Sequence, residues 1–213
     1  MEKRAETQTP VLEAIGRRWS PRAFTERPVE PEKLLCIFEA AQWAPSSRNE
    51  QPWAFIVATH EDAKNYEALL GVLVEFNSAW ARKAPVLILT LAHTQLEKEG
   101  TPNRHGFYDL GQSVANLILQ ATSLDLMAHQ MGGFNVEAAR ERFAVPAGWE
   151  PVSMIAMGYP GEPASLPEHL RERETTERKR KPLEQFVFSG AWGHPSLIAE
   201  QIADPIIAPS EAL

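Results

Sequence analysis

Two prolines seven positions apart, Pro45 and Pro52, constrain this chain more than any other feature. The residue before a proline is pushed out of the α region, so a helix reaching Ala44 must end there and Gln51 is expected to be extended. Between the prolines run Ser46, Ser47, Arg48, Asn49, Glu50 and Gln51, six hydrogen-bonding side chains in succession, flanked by Trp43 and Trp53. A loop pinned at both ends and walled by indoles holds its polar groups in fixed directions, which suits a flat ligand with polar edges.

The flanks of this loop predict their own structure. Leu34, Leu35, Ile37, Phe38, Ala41 and Trp43 recur at helical spacing from Pro31 onward, and AFIVAT after Trp53 reads as a buried strand. Further helices are predicted over residues 61–73 and 109–126, and strands over 85–91 and 151–157. Asn135 reads as the N-cap of a helix ending before Pro146. Upstream, Thr9-Pro10 has the form of an N-cap and first helical position for a short helix through about Gly16. In the helix over 109–126, Leu110, Val114, Leu117, Ile118, Ala121 and Leu124 form a buried stripe, while Gly111 and Ala115 permit close approach on a neighbouring face. Helices interleaved with about four strands give a layered α/β domain. From Phe186 to Leu213 the chain is too apolar for a free tail and too proline-rich for a helix, so an arm laid over a partner surface is expected.

Composition excludes several classes of function. A net charge of -7 argues against a nucleic-acid partner, and the longest apolar runs are too short to span a membrane. Cys36 is the single cysteine, so neither an internal disulfide nor a thiolate metal cage is available. On its apolar helix it is expected to be a buried thiol. The six histidines lack ligand spacing, which argues for no metal site. With no apolar leader near the N-terminus, a cytoplasmic location is expected. Within this acidic chain Arg17, Arg18 and Arg22 crowd around Ser20 and Pro21, a local basic knot suited to a phosphate.

Together these segments resemble the FMN-dependent nitroreductase family. The resemblance rests on Arg18, Ser20, Arg22 and Ala23-Phe24; on Ala44 to Trp53, which matches the family's Ala/Ser-Pro-Ser-x-x-Asn-x-Gln-Pro-Trp pattern; on Asn77, Trp80 and Ala84-Pro85-Val86; on Gly132-Gly133-Phe134; and on Arg180-Lys181-Pro182-Leu183. The chain departs from some relatives in carrying Trp19 between Arg18 and Ser20, and Gly132 where others have an acid. The resemblance implies an α+β layered sandwich with a central, mainly antiparallel sheet flanked by helices, forming an intertwined homodimer. It implies an FMN-binding domain over residues 1–185 and an arm over 186–213 packed on the partner subunit.

The cofactor residues implied are Arg18, Trp19, Ser20, Arg22, Asn77, Met131, Gly132, Gly133, Arg178 and Arg180 from one subunit. Pro45, Ser46, Ser47 and Asn49 would come from the other. FMN would carry the chemistry, so no catalytic side chain is expected. NAD(P)H would reduce it, and a small, flat, electron-poor acceptor such as a nitroaromatic, a quinone or a free flavin would reoxidise it in a ping-pong cycle. A non-catalytic flavin carrier or sensor is the alternative, and intact flavin motifs with no signalling appendage favour the enzyme.

Overall fold

Alternation along one strand sorts the molecule into two layers. The computed structural model describes residues 3 to 200. Strand Val86–His93 (β2) is buried on both faces except at its last residue. Leu87, Leu89 and Leu91 join one hydrophobic cluster, and Val86, Ile88 and Ala92 join another on the opposite side. A side-chain period of two allows no other arrangement. Three strands accompany it: Trp53–Thr59 (β1), Met127–Met131 (β3) and Trp149–Gly158 (β4). They run in the order β1-β2-β4-β3, with every pairing antiparallel. β1 and β3 are therefore opposite edges, about 14 Å apart at roughly 4.8 Å per strand interval.

Eight α-helices complete the described residues: Glu13–Arg17 (α1), Pro31–Gln42 (α2), Ala63–Leu70 (α3), Glu75–Ala81 (α4), Gly106–Ser123 (α5), Val136–Arg142 (α6), Glu168–Thr175 (α7) and Leu197–Glu200 (α8). On one face, α2 and α5 supply Ile37, Ala41, Leu110, Leu117 and Ala121 to the core. The other face receives Leu69, Trp80, Ala139 and Leu170 from α3, α4, α6 and α7, together with Trp19 and Phe24. Each fully buried leucine or isoleucine contributes about 1.5–3 kcal/mol relative to an exposed one, so both layers are needed. No helix among the described residues is long and apolar enough to cross a membrane.

The α+β architecture with an antiparallel sheet agrees with the expectation, and Asn135 caps α6 by accepting from Ala138 N at 2.9 Å. Several local expectations are corrected. Thr9-Pro10 is not a cap: α1 begins at Glu13 after Leu12, and Gly16 N donates to Leu12 O at 3.1 Å. Cys36 is exposed, because the inward stripe of α2 runs through Ile37 and Ala41 and leaves Leu35 and Cys36 outside. α2 stops at Gln42, two residues before Ala44.

The arm is described only through residue 200, and the remainder of 186–213 lies outside the described residues. Within it, Phe186, Trp192, Leu197 and Ile198 are exposed on their own chain. The outer side of α1, α2 and α5 likewise shows Leu12, Leu35, Trp43 and Tyr108 to solvent, and a Cβ at Gly111 would meet nothing within 4 Å.

Candidate functional site

The basic knot forms where the chain leaves α1 and crosses the β3 edge. Arg18 takes an extended backbone and Pro21 blocks further helix. Two buried groups then pin the turn. His129 of β3 donates from Nδ1 to the Pro21 carbonyl at 2.8 Å, a role its acceptor dictates, and its ring lies against Trp80. Burial lowers the His129 pKa to about 4, so the imidazole is neutral near pH 7. Glu174 of α7 is 1% exposed, and its carboxylate accepts from Arg22 N at 2.9 Å and Ala23 N at 3.0 Å. Two successive backbone N–H groups thus hold one internal anion, which satisfies the cost of burying its charge.

Above that turn is a cavity of about 190 Å³ lined by Lys3, Arg18, Ser20, Arg22, Arg178 and Arg180, with Trp19, Arg173 and Glu174 completing its wall. Arg18 Nη1 donates to Ser20 Oγ at 3.3 Å. Among the described residues no carboxylate stands at ion-pair distance from these cations, whereas Arg27, Lys83 and Arg140 pair with Glu30, Glu26 and Glu150. Desolvation is the main cause lowering the pKa of Arg18, Arg22 and Arg178; neighbouring arginines add to it at Arg18 and Arg178, and the Glu174 carboxylate opposes it at Arg22. Crowded, partly buried guanidiniums, opposed in the cavity wall only by the Glu174 carboxylate, have the chemistry to receive a dianion. Trp19 itself is 6% exposed and joins the core, so it meets the cavity as part of its wall.

Along the same face, β3 leads from His129 through Met131 to Gly132-Gly133. Met131 is a core side chain, so only its backbone is available to a ligand. Asn77 Nδ2 donates to Gly133 O at 3.0 Å, and a Cβ on Gly133 would stand 2.6 Å from that nitrogen. Gly133 therefore has to be glycine for Asn77 to reach it. A Cβ on Gly132 would meet nothing within 4 Å, which leaves open space in front of its backbone. Beside α4, a cleft of about 710 Å³ runs to α7 past Arg22, Phe76, Trp80, His169 and Leu170. Among the described residues Nε of Arg22 and Nε1 of Trp80 are buried donors without an acceptor. Such donors are rare and mark places where a ligand or water completes the structure.

The proline-bounded loop lies elsewhere. It leaves α2 on the opposite face and enters β1 at the opposite edge. Asp109 of α5, 2% exposed, accepts from Ser47 N at 3.0 Å, and Gln112 Nε2 donates to Pro45 O at 3.3 Å. Ser46 Oγ accepts from Gln51 N at 3.0 Å. These ties overturn the expected extended Gln51: Arg48, Asn49 and Gln51 have φ of 55°, 58° and 48°. Left-handed conformations in residues other than glycine cost on the order of 1–3 kcal/mol each and persist only where surroundings over-determine them. Trp43 does not wall the loop; it is 75% exposed and donates to Glu39 at 3.1 Å.

Within one chain, then, Arg18, Ser20, Arg22, Arg178 and Arg180 converge, and Asn77 joins Gly133. Pro45, Ser46, Ser47 and Asn49 stand apart across the sheet. Lys3, Arg173, Glu174 and His129 were missed, because their places depend on contacts more than 100 residues apart, such as Arg22 N with Glu174. The one local hint is spacing, since Glu174 falls four residues after Leu170 and so on the same face of α7. Among the described residues no group of His, Cys, Asp or Glu is placed to hold a metal ion.

Comparison with known proteins places this geometry in context. The chain is 36% identical over 160 residues to a Methanothermobacter thermautotrophicus protein named as an NADH dehydrogenase/NAD(P)H nitroreductase, covering 71% of this chain and 78% of the relative. It is 28% identical over 170 residues to the FMN reductase [NAD(P)H] of Bacillus subtilis, covering 71% and 66% of the two chains. A solved structure described as an oxidoreductase containing FMN superposes with a TM-score of 0.83 at 33% identity, covering 89% of this chain and 96% of the other. The model of the nitroreductase family matches residues 15–159, and the chain belongs to the nitroreductase family of oxidoreductases.

Proposed function

We propose that this protein is an FMN-dependent NAD(P)H oxidoreductase that passes reducing equivalents to small, flat, electron-poor acceptors. The observation that carries the reading is the cavity of cations without carboxylate partners beside β3, with open backbone at Gly132 on the same face. These residues fit a phosphorylated flavin. Arg18, Ser20, Arg22, Arg178 and Arg180 would hold the phosphate and ribityl chain, and Asn77 with Gly132-Gly133 would meet the ring. FMN, when bound, supplies the acceptance and delivery of hydride.

The side chains named here bind and orient; none is assigned a proton transfer. His129, kept neutral by burial, positions the turn beneath the phosphate without adding charge. Similarity to proteins named NAD(P)H nitroreductase and FMN reductase supports NAD(P)H as reductant.

The loop at Pro45 to Asn49 is satisfied, strained and turned away from its own knot, which favours a site completed by a second chain. A homodimer would cover the exposed Leu12, Leu35, Trp43 and Tyr108, and the segment from Phe186 onward would pack on the partner as an arm. We place this dimer in the cytoplasm. The first test is spectroscopic. The purified protein should be yellow, and anaerobic NADPH or NADH should bleach its visible band. A yellow protein that never bleaches would be a carrier, and a colourless protein that ignores added FMN would sink the reading. Truncation after Ser189 should weaken the dimer by light scattering; an unchanged dimer would remove the arm from the interface.

A further inference from the structure

Two segments outside the residues matched by the family model, the strand of chain before residue 15 and helix α7, close one wall of the cation cavity. Resting on the reading of that cavity as the phosphate site, we propose that Lys3 is a further phosphate-binding residue of this chain.

The segment that carries Lys3 is fastened at both sides. Ala5 N donates to Gly16 O at 2.8 Å, and Arg178 Nη1 donates to Lys3 O at 2.6 Å. Next to it Arg4 turns outward and forks onto the Glu13 carboxylate, with Nη1 to Oε1 at 2.7 Å. Lys3 turns the other way. Its ammonium donates to the carbonyls of Glu174, at 2.7 Å, and Thr176, and stands 5.2 Å from the centroid of the Trp19 ring. Two of its three donors are therefore directed by neutral acceptors, which orient the charge without cancelling it, and one donor is left.

Among the described residues no carboxylate stands at ion-pair distance from Lys3, and the side chain lines the cavity together with Arg18, Ser20, Arg22 and Arg180. Fastening alone does not require this, since Arg4 and Arg178 already tie the segment down. Glu174 sets both walls at once: its carboxylate holds the Arg22 and Ala23 N–H groups while its carbonyl aims Lys3. Preorganised in this way, the ammonium costs little ordering entropy when an anion arrives.

The test uses Lys3→Met, which keeps an aliphatic side chain of similar length and removes the charge. Full-length protein stripped of flavin is titrated with FMN and, in parallel, with riboflavin, which lacks the phosphate. FMN affinity should fall about tenfold or more, the scale of one charge-assisted hydrogen bond, while riboflavin affinity stays unchanged. Lys3→Arg should restore most of the loss. Unchanged FMN affinity, or an equal loss for both flavins, would overturn the proposal and leave Lys3 as a fastener. Arg18→Ala serves as the control. If it too spares FMN affinity, the phosphate reading of the cavity fails; if it alone weakens FMN, that reading stands and only the role of Lys3 is lost.

Discussion

The two edges of the sheet hold polar groups in opposite ways. At the β3 edge, cations crowd together without carboxylate partners, over a turn pinned by the buried Glu174 and His129. At the β1 edge, the proline-bounded loop spends its backbone N–H groups internally, on Asp109 and Ser46, and keeps three left-handed residues under strain. The first region stores unsatisfied charge and the second stores shape. A knot of that kind contributes affinity for a charged group, while a rigid loop contributes fit to a flat one. Their perturbations should therefore separate by ligand.

The largest expected effect concerns pH at the β3 edge. His129 titrates at about 4 in the fold and near 6.5 when unfolded, so between these values the unfolded chain binds more protons. Its contribution to stability is whole above about pH 6.5 and is lost as pH falls towards 4, reaching about 3 kcal/mol. Denaturant melts from pH 7 to 4 should show that slope, and His129→Gln should flatten it. An identical slope in the variant would mean that another group dominates.

Next in size is the charge itself. Arg18→Ala should weaken FMN by about 1.5–3 kcal/mol, one to two decades, while leaving riboflavin binding nearly unchanged. Equal losses for the two flavins would show a general distortion of the site. The smallest effect belongs to the loop. Asp109→Asn exchanges a charged acceptor for a neutral one under Ser47 N and should cost about 1 kcal/mol in stability. It should weaken FMN and riboflavin alike, and a loss confined to FMN would join the loop to the phosphate end and erase the contrast.

Much of the fold is legible in the sequence, because it rests on periodicity. The apolar run at Val86 to Leu91, short and preceded by Pro85, reads as a strand buried on two faces, and the stripe Leu110, Val114, Leu117, Ile118 and Ala121 is the inner side of α5. The cations of the knot are legible too, since Arg18, Ser20 and Arg22 are close in the chain. What escapes is whatever long-range contacts decide. Gln51 is left-handed although it precedes a proline, because Ser46, Asp109 and Gln112 fix the loop more strongly than the local preference does. Cys36 lies one residue off the stripe that runs through Ile37 and Ala41, a difference of about 100° around a helix that composition does not register. Glu174 looks like one more charge in a solvated run until Arg22 and Ala23 are placed against it.

In the proposed dimer, each site joins the knot of one chain to the loop of another. Co-expression of an Arg18→Ala chain with a Ser47→Tyr chain tests it most directly, because each homodimer is defective by itself. If the loop crosses over, the heterodimer carries both lesions in one site and leaves the other wild type. Purified heterodimers should then bind about one FMN per dimer and recover up to roughly half of wild-type turnover, the sites acting additively. Heterodimers that bind no FMN and stay inactive would show that the loop serves its own chain, which contradicts the account.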